Sequence, residues 1–380
     1  MFLELSEEQR LIRDSVRRFV EMEVKPHAAR FDKNQEFPQA AVKGLSELGL
    51  MGMFTSPDLG GAGLDAVTGA LVIEEIARHD GSLALTVASH NGLCSAHLRL
   101  AGNDEQKRRF LPDLASGKKL GAWALTEPGS GSDASGLRTT AAKRKDRWIL
   151  NGSKTFITQG TVGEVFVVLA LTAPEKKQHG ITAFVLERGM RGFTQRSIHD
   201  KLGMRASDTA ELFFEDVEVP EENRLGSLDR GFIDTLKILD RGRITIAALG
   251  VGIARGSVEE ARAYALERRQ FGKPIAEFQA IQWMISDMAT ETDAARLLTH
   301  HAAALHDSGE PYSLAAAKAK LYASEAAVRA ATKAIQVHGG YGYTKDFPVE
   351  RYLRDAKLLE IGEGTSEIQR MVIARHVLQS

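Results

Sequence analysis

The chain carries one cysteine, Cys94, in 380 residues. A single thiol excludes an internal disulfide and any thiolate metal cluster. An excess of one charge is also missing, since 49 Lys and Arg face 50 Asp and Glu. Such a balance offers no general field to nucleic acid or to an anionic membrane. Long apolar runs are absent too. The cleanest, Val165 to Leu171, is far too short to span a bilayer. The start, Met1-Phe2-Leu3-Glu4-Leu5-Ser6-Glu7-Glu8, is acidic and lacks an apolar core, so no signal peptide is expected. The 11 histidines, His300-His301 among them, show no metal-ligand spacing, and no metal site is expected. The expectation is a soluble intracellular protein, either cytoplasmic or, in a eukaryote, a mature mitochondrial matrix form.

What is present is ordinary globular composition, 43% hydrophobic and 26% charged. A chain of this length predicts two or three domains. Residues 1–118 read as helical. Ser6 and Gln9 have capping-box spacing, and Leu11, Ile12, Val16, Phe19 and Val20 follow on one face. Pro26 ends or bends that pattern. Further helical stretches run from Pro38 to Leu48, Val67 to Arg78, Leu83 to Leu100 and Asp104 to Leu114.

Residues 119–227 change texture. Short runs rich in β-branched and aromatic residues appear at Trp148 to Leu150, Thr155 to Thr158, Val165 to Leu169, Ala183 to Leu186 and Leu212 to Phe214. Asn151-Gly152 and His179-Gly180 read as turns between them. No helical pattern alternates with these strands, which predicts an antiparallel sandwich or barrel rather than βαβ units. Residues 228–380 are helical again. Apolar and small residues step by three and four from Ile244 to Ala265, from Phe278 to Ala295 and from Leu314 to Ile335. That predicts an antiparallel bundle. The class is α+β, mainly α, with a helical domain, a β domain and a four-helix bundle in that order.

Two glycine motifs are misleading. Gly250-Val251-Gly252-Ile253-Ala254-Arg255-Gly256 has dinucleotide-fingerprint spacing but lies inside a helical pattern with no preceding strand. Close helix packing through Gly252 and Gly256 is the better reading. Gly129-Ser130-Gly131-Ser132 lacks the offsets of a nucleophile elbow. More informative is Ile361-Gly362-Glu363-Gly364-Thr365-Ser366, which presents a carboxylate between two glycines. Capping-box spacing of Ser366 and Gln369 predicts a helix from Ser366. A carboxylate on so bare a loop can act as a base. Thr126 to Gly136 is rich in glycines and hydroxyls, with backbone N–H groups free for phosphate. Gln336-Val337-His338-Gly339-Gly340 predicts a left-handed helix cap at Gly339. Arg268 to Gly272 joins guanidinium groups to an aromatic, as a pyrophosphate clamp would.

Taken together, these segments resemble the acyl-CoA dehydrogenases. Thr126 to Gly136 is similar to their first signature. Gln336 to Asp355, with Gly339, Gly340, Gly342, Asp346 and Arg351, is similar to their second. Phe156-Ile157-Thr158, Arg268 to Gly272 and Glu363-Gly364-Thr365 fall in the family's order, so the resemblance covers nearly the whole chain. It implies tight FAD and α,β-desaturation of an acyl-CoA thioester to the trans-2-enoyl product, as in fatty-acid β-oxidation. In such enzymes a glutamate, here Glu363, takes the α-proton while hydride passes to the flavin N5. Electrons then go to an electron-transferring flavoprotein. An oxidase of the same fold and a non-catalytic acyl-CoA-binding scaffold are the alternatives.

The resemblance also implies roles for other residues. Leu125, Thr126, Ser132, Phe156 and Thr158 would line the flavin. Arg268, Phe271, Gln279, Gln336, Gly339 and Gly340 would reach FAD from a neighbouring subunit, within a homotetramer built as a dimer of dimers. Thr365 and Glu367 would close over its ADP part. Ser132, Asp240, Arg243 and Gly364 would contact the CoA thioester. Isovaleryl and long-chain relatives carry the base on the bundle helix, at the position read here as Asp240. Gly362 stands where straight-chain members have tyrosine, implying a wider pocket of short- or medium-chain or branched-chain type.

Overall fold

The computed structural model describes residues 4–379. Met1, Phe2 and Leu3 of the acidic start, and Ser380, lie outside them. The N-terminal region holds α1 (Glu7–Phe19), α2 (Ala28–Asn34), α3 (Gln39–Glu47), α4 (Ala66–Ala77), α5 (Gly81–Ser89), α6 (Ser95–Ala101) and α7 (Asp104–Ala115). Ser6 caps α1 in the expected box. Its hydroxyl accepts the Gln9 N–H at 3.1 Å while the Gln9 side chain accepts the Ser6 N–H. Ahead of Pro26 the helix loosens into a π-turn, Val20–Val24. A second π-turn, His90–Cys94, links α5 to α6. His90 is a core histidine, with Nε2 at 3.0 Å from the Leu114 carbonyl and Nδ1 accepting the Gly121 N–H. Burial holds it down at about 4.

The middle region is one twisted sheet. Its strands are β1 (Gly121–Ala124), β2 (Thr140–Arg144), β3 (Arg147–Thr158), β4 (Val165–Leu171), β5 (Ile181–Glu187), β6 (Phe193–Ser197), β7 (Thr209–Pro220) and β8 (Arg224–Leu225). They run in the order β6-β7-β3-β2-β4-β5-β8, with β1 beside β4. Pairing is antiparallel except where β1 and the start of β2 meet β4 in parallel. The expected turn at Asn151-Gly152 is instead a bulge inside β3, so two predicted strands are one. Gly152 is required there, since its φ is +143° and a Cβ would stand 2.6 Å from the Thr139 hydroxyl. β4 is apolar throughout because both of its faces are covered. Val165, Val167 and Leu169 meet Leu98, Phe110 and Leu114 of the N-terminal helices. Phe166 and Val168 meet Phe184, Phe193 and Phe214 within the sheet domain.

The C-terminal bundle consists of α8 (Gly231–Glu267), α9 (Gln279–Asp307) and α10 (Ser313–His338), with α11 (Val349–Leu359) and α12 (Ser366–Gln379) against α10. The expected stripe on α10 is only half buried. Ala317, Ser324 and Ala331 are inside, but Leu314, Leu321, Val328 and Ile335 remain partly exposed. The tightest face is alanine instead, through Ala316, Ala319, Ala323, Ala326 and Ala330. Small residues let α8 and α10 approach until a Cβ on Gly250 would lie 2.9 Å from the Ala323 carbonyl. Gly252 and Gly256 do the same against Glu74 and Arg78 at the end of α4, which is the packing role expected of that false fingerprint.

Candidate active site

Between α11 and α12 the chain makes a tight loop, with Glu363 at φ +50° and Gly364 at φ +91°. A left-handed glutamate costs on the order of 1–2 kcal/mol, so other groups must hold it. Lys320 of α10, fully buried, does so by donating from Nζ to the Gly364 carbonyl at 2.6 Å. The Gln369 amide donates to the same oxygen at 3.0 Å. The expected capping box at Ser366 is therefore not formed. Ser366 is already helical, Thr365 caps through its hydroxyl to the Ile368 N–H, and Gln369 turns back to Gly364. Nothing in the sequence singles out Lys320, whose role depends on the loop that the fold brings onto it.

Glu363 as a residue is partly exposed, but Oε2 of its carboxylate is buried without a hydrogen-bond partner. It backs onto α8 at Gly242, where a Cβ would stand 2.5 Å from Oε2 and 3.6 Å from a methyl of Leu93. Burial pushes the carboxyl up to about 7, against the pull of Lys320 and Arg243. Arg243 is buried and bonds to Asp240, three residues earlier on the same helix. The residue of α8 facing Glu363 is thus Gly242, and Asp240 is committed to Arg243. This corrects the reading of Asp240 as the helix position opposite the loop base. Among the described residues the Glu363 N–H donates no hydrogen bond, while the Gly364 carbonyl is turned inward by Lys320.

A second group of expected residues gathers on the sheet. Lys154 of β3, fully buried, donates to the Leu125 carbonyl at 3.0 Å and to Glu127 at 2.8 Å. Glu127 also accepts the N–H groups of Arg138 and Thr139 at 2.6 and 2.9 Å. The Thr155 N–H closes on the Thr126 carbonyl at 2.9 Å. These bonds pin the Leu125-to-Gly136 loop from beneath and leave its outer side bare. Ser132 is exposed, and nothing lies within 4 Å of a Cβ at Gly129 or Gly131. Beside it Phe156 is 68% exposed at φ +57°, and Thr158 is half-buried.

A third group lines a cleft of about 700 Å³ at the end of the bundle. Arg268, Phe271, Gly339 and Gly340 face it, whereas none of the sheet residues do. Gln279 and Gln336 are exposed at its margin. Phe271 is 92% exposed at φ +50°. Gly339 takes φ +60° and ψ −134°, outside the left-handed helical region expected of it and open only to glycine. The residues fit FAD. Exposed Phe156 and Phe271 offer surface to flat rings, and the bare glycine backbones with Arg268 suit pyrophosphate. One chain divides these features between two separate surfaces.

The N-terminal, middle and C-terminal domain models of acyl-CoA dehydrogenase match residues 6–118, 122–217 and 229–378. A short-chain-specific acyl-CoA dehydrogenase of Clostridium acetobutylicum is 45% identical over 100% of both chains. Butyryl-CoA dehydrogenase of Megasphaera elsdenii superposes with a TM-score of 0.97 at 40% identity, covering 100% of both chains. A chain from the study of the electron transferring flavoprotein of Acidaminococcus fermentans superposes at 0.98 with 44% identity, again over 100% of both.

Proposed function

This chain belongs to the acyl-CoA dehydrogenase family, whose members are FAD flavoproteins, and on that premise we propose that it desaturates a short- to medium-chain acyl-CoA with Glu363 as the base. The carrying observation is the Glu363 carboxyl, with Oε2 buried without a hydrogen bond and its pKa raised to about 7. A base poised near neutrality is suited to taking a weakly acidic α-proton. Bound FAD supplies the two-electron acceptor for the β-hydrogen. Leu125, Thr126, Ser132, Phe156 and Thr158 would hold it on one subunit. Arg268, Phe271, Gln279, Gln336, Gly339 and Gly340 would reach it from another, and Thr365 and Glu367 would cover its far end.

The uncommitted Glu363 N–H is the donor for the thioester oxygen, where charge develops as the α-proton leaves. Lys320 keeps the neighbouring Gly364 carbonyl away from that oxygen. Ser132, Asp240, Arg243 and Gly364 complete the thioester surroundings. Arg243 and Lys320 set the field at Glu363 without touching its carboxylate. The division of the cofactor surfaces and the half-buried Leu314, Leu321, Val328 and Ile335 support assembly as a homotetramer, a dimer of dimers. The electron-transferring flavoprotein is the proposed acceptor, supported by the likeness to the Acidaminococcus chain. Anaerobic titration with straight, branched and aromatic acyl-CoAs, followed by flavin bleaching, tests the reading. In a parallel aerobic assay, peroxide release in place of flavoprotein reduction would make the enzyme an oxidase. A colourless protein that FAD cannot reconstitute would make it a scaffold.

A further inference from the structure

Two half-buried arginines, Arg99 and Arg241, share one aromatic ring, and neither has an ion pair among the described residues. Arg99 leaves α6, and Arg241 leaves α8 one residue before the Gly242 that Glu363 covers. Both guanidinium groups lie over the ring of Phe54, at 5.8 and 4.4 Å from its centroid. Arg99 donates only to neutral oxygens, the Thr55 hydroxyl at 3.5 Å and the Asn91 carbonyl at 3.3 Å. Arg241 has neither a hydrogen bond nor an ion pair among the described residues, and its Nε is buried.

The nearby acids are engaged elsewhere. Asp307 faces Arg241 but accepts the Ala66 N–H on one oxygen and the Val67 N–H on the other. Asp240 is bound to Arg243, and Tyr312 supplies only a phenol. Burial, and then repulsion from Arg241, holds Arg99 well below the ordinary arginine value. Burial holds Arg241 down as well. One aromatic ring attracts cations but does not neutralise two of them in a partly dry setting. Forked donors left without an acid are what a carboxylate or phosphate can take up.

We propose that Arg99 and Arg241 form an anion subsite for a charged oxygen group of the acyl-CoA, either a carboxylate on the acyl chain or a phosphate of CoA. The identity of the occupant rests on the acyl-CoA reading above; the existence of the subsite does not. The test compares the holoenzyme with Arg99→Gln, Arg241→Gln and the double variant. Thermal melts in inorganic phosphate, against chloride at equal ionic strength, should stabilise the native protein and leave the double variant unchanged.

Turnover then separates the sources. If the site takes an acyl carboxylate, KM for glutaryl-CoA rises about 10- to 100-fold in the variants while KM for butyryl-CoA holds, the scale of a lost charge-assisted hydrogen bond. If it takes a CoA phosphate, KM rises for both thioesters alike and butyryl-pantetheine is unaffected. Failure of all turnover would sink the acyl-CoA reading and leave the phosphate melts to decide the subsite. Equal phosphate response and equal KM values in native protein and double variant would overturn the subsite. The two arginines would then be structural props for Phe54.

Discussion

A β-carbon at position 242 would stand 2.5 Å from Oε2 of Glu363. The carboxylate therefore occupies space that α8 leaves free by having a glycine there. Two elements more than a hundred residues apart in sequence are fitted to each other at the atom assigned the chemistry.

Gly242→Ala should therefore displace Glu363 while leaving the cofactor surfaces intact. A shift of about 1 Å in a reacting group can cost on the order of 100-fold in rate. The expected outcome is a fall in kcat of at least about tenfold with unchanged FAD content. Native kcat in this variant would mean that the loop moves aside freely.

Lys320→Met should act on pH dependence. The Lys320 ammonium lowers the Glu363 pKa, so its removal should move the rising limb of kcat/KM upward from about 7. Lys320→Arg, which keeps the charge, should move it less. A related effect concerns stability. A carboxyl raised to about 7 from its ordinary 4.5 contributes stability at low pH that is lost as pH climbs through 7. Chemical denaturation should therefore show native protein losing ground to Glu363→Gln across that window.

Arg268→Ala should weaken FAD retention, because it removes a charged donor from the bundle cleft. The readout is the ratio of flavin to protein after gel filtration, with sedimentation to follow assembly. A fully flavinylated native monomer would contradict the sharing of FAD between subunits.

How much of this was legible in the sequence differs by region. The long helices and Val165-rich β4 carried strong patterns, and the Gly-Glu-Gly loop stood out by its composition. β1, reading Gly-Ala-Trp-Ala, and β2, reading Thr-Ala-Ala-Lys-Arg, were illegible because their partners in the sheet, not their side chains, make them strands. Asn151-Gly152 read as a turn because a bulge needs the same residues as a hairpin. The α10 stripe misled because helices in close contact bury alanine while the larger residues stay outside. Gly242 and Lys320 gave no motif at all. Each matters only through the loop that the fold brings onto it.

Gly362→Tyr probes the acyl pocket. A Cβ at that position meets only Leu358, at 3.5 Å or more, and the backbone there needs no positive φ. The substitution should therefore fold, and it should depress turnover of branched acyl-CoAs more than straight ones. Single methylenes are discriminated by about 1–3 kcal/mol, so the effect should be graded. Equal loss on both would assign Gly362 to loop shape rather than to the pocket.

The most direct test of the account is anaerobic stopped-flow reduction of Glu363→Gln by butyryl-CoA, run beside native protein and Asp240→Asn. Glu363→Gln should retain FAD and bleach about 10²- to 10⁴-fold more slowly, the usual scale for removing a general base. Asp240→Asn should lose far less. Bleaching of Glu363→Gln at the native rate, or an inactive Asp240→Asn beside an active Glu363→Gln, would contradict the assignment of the base.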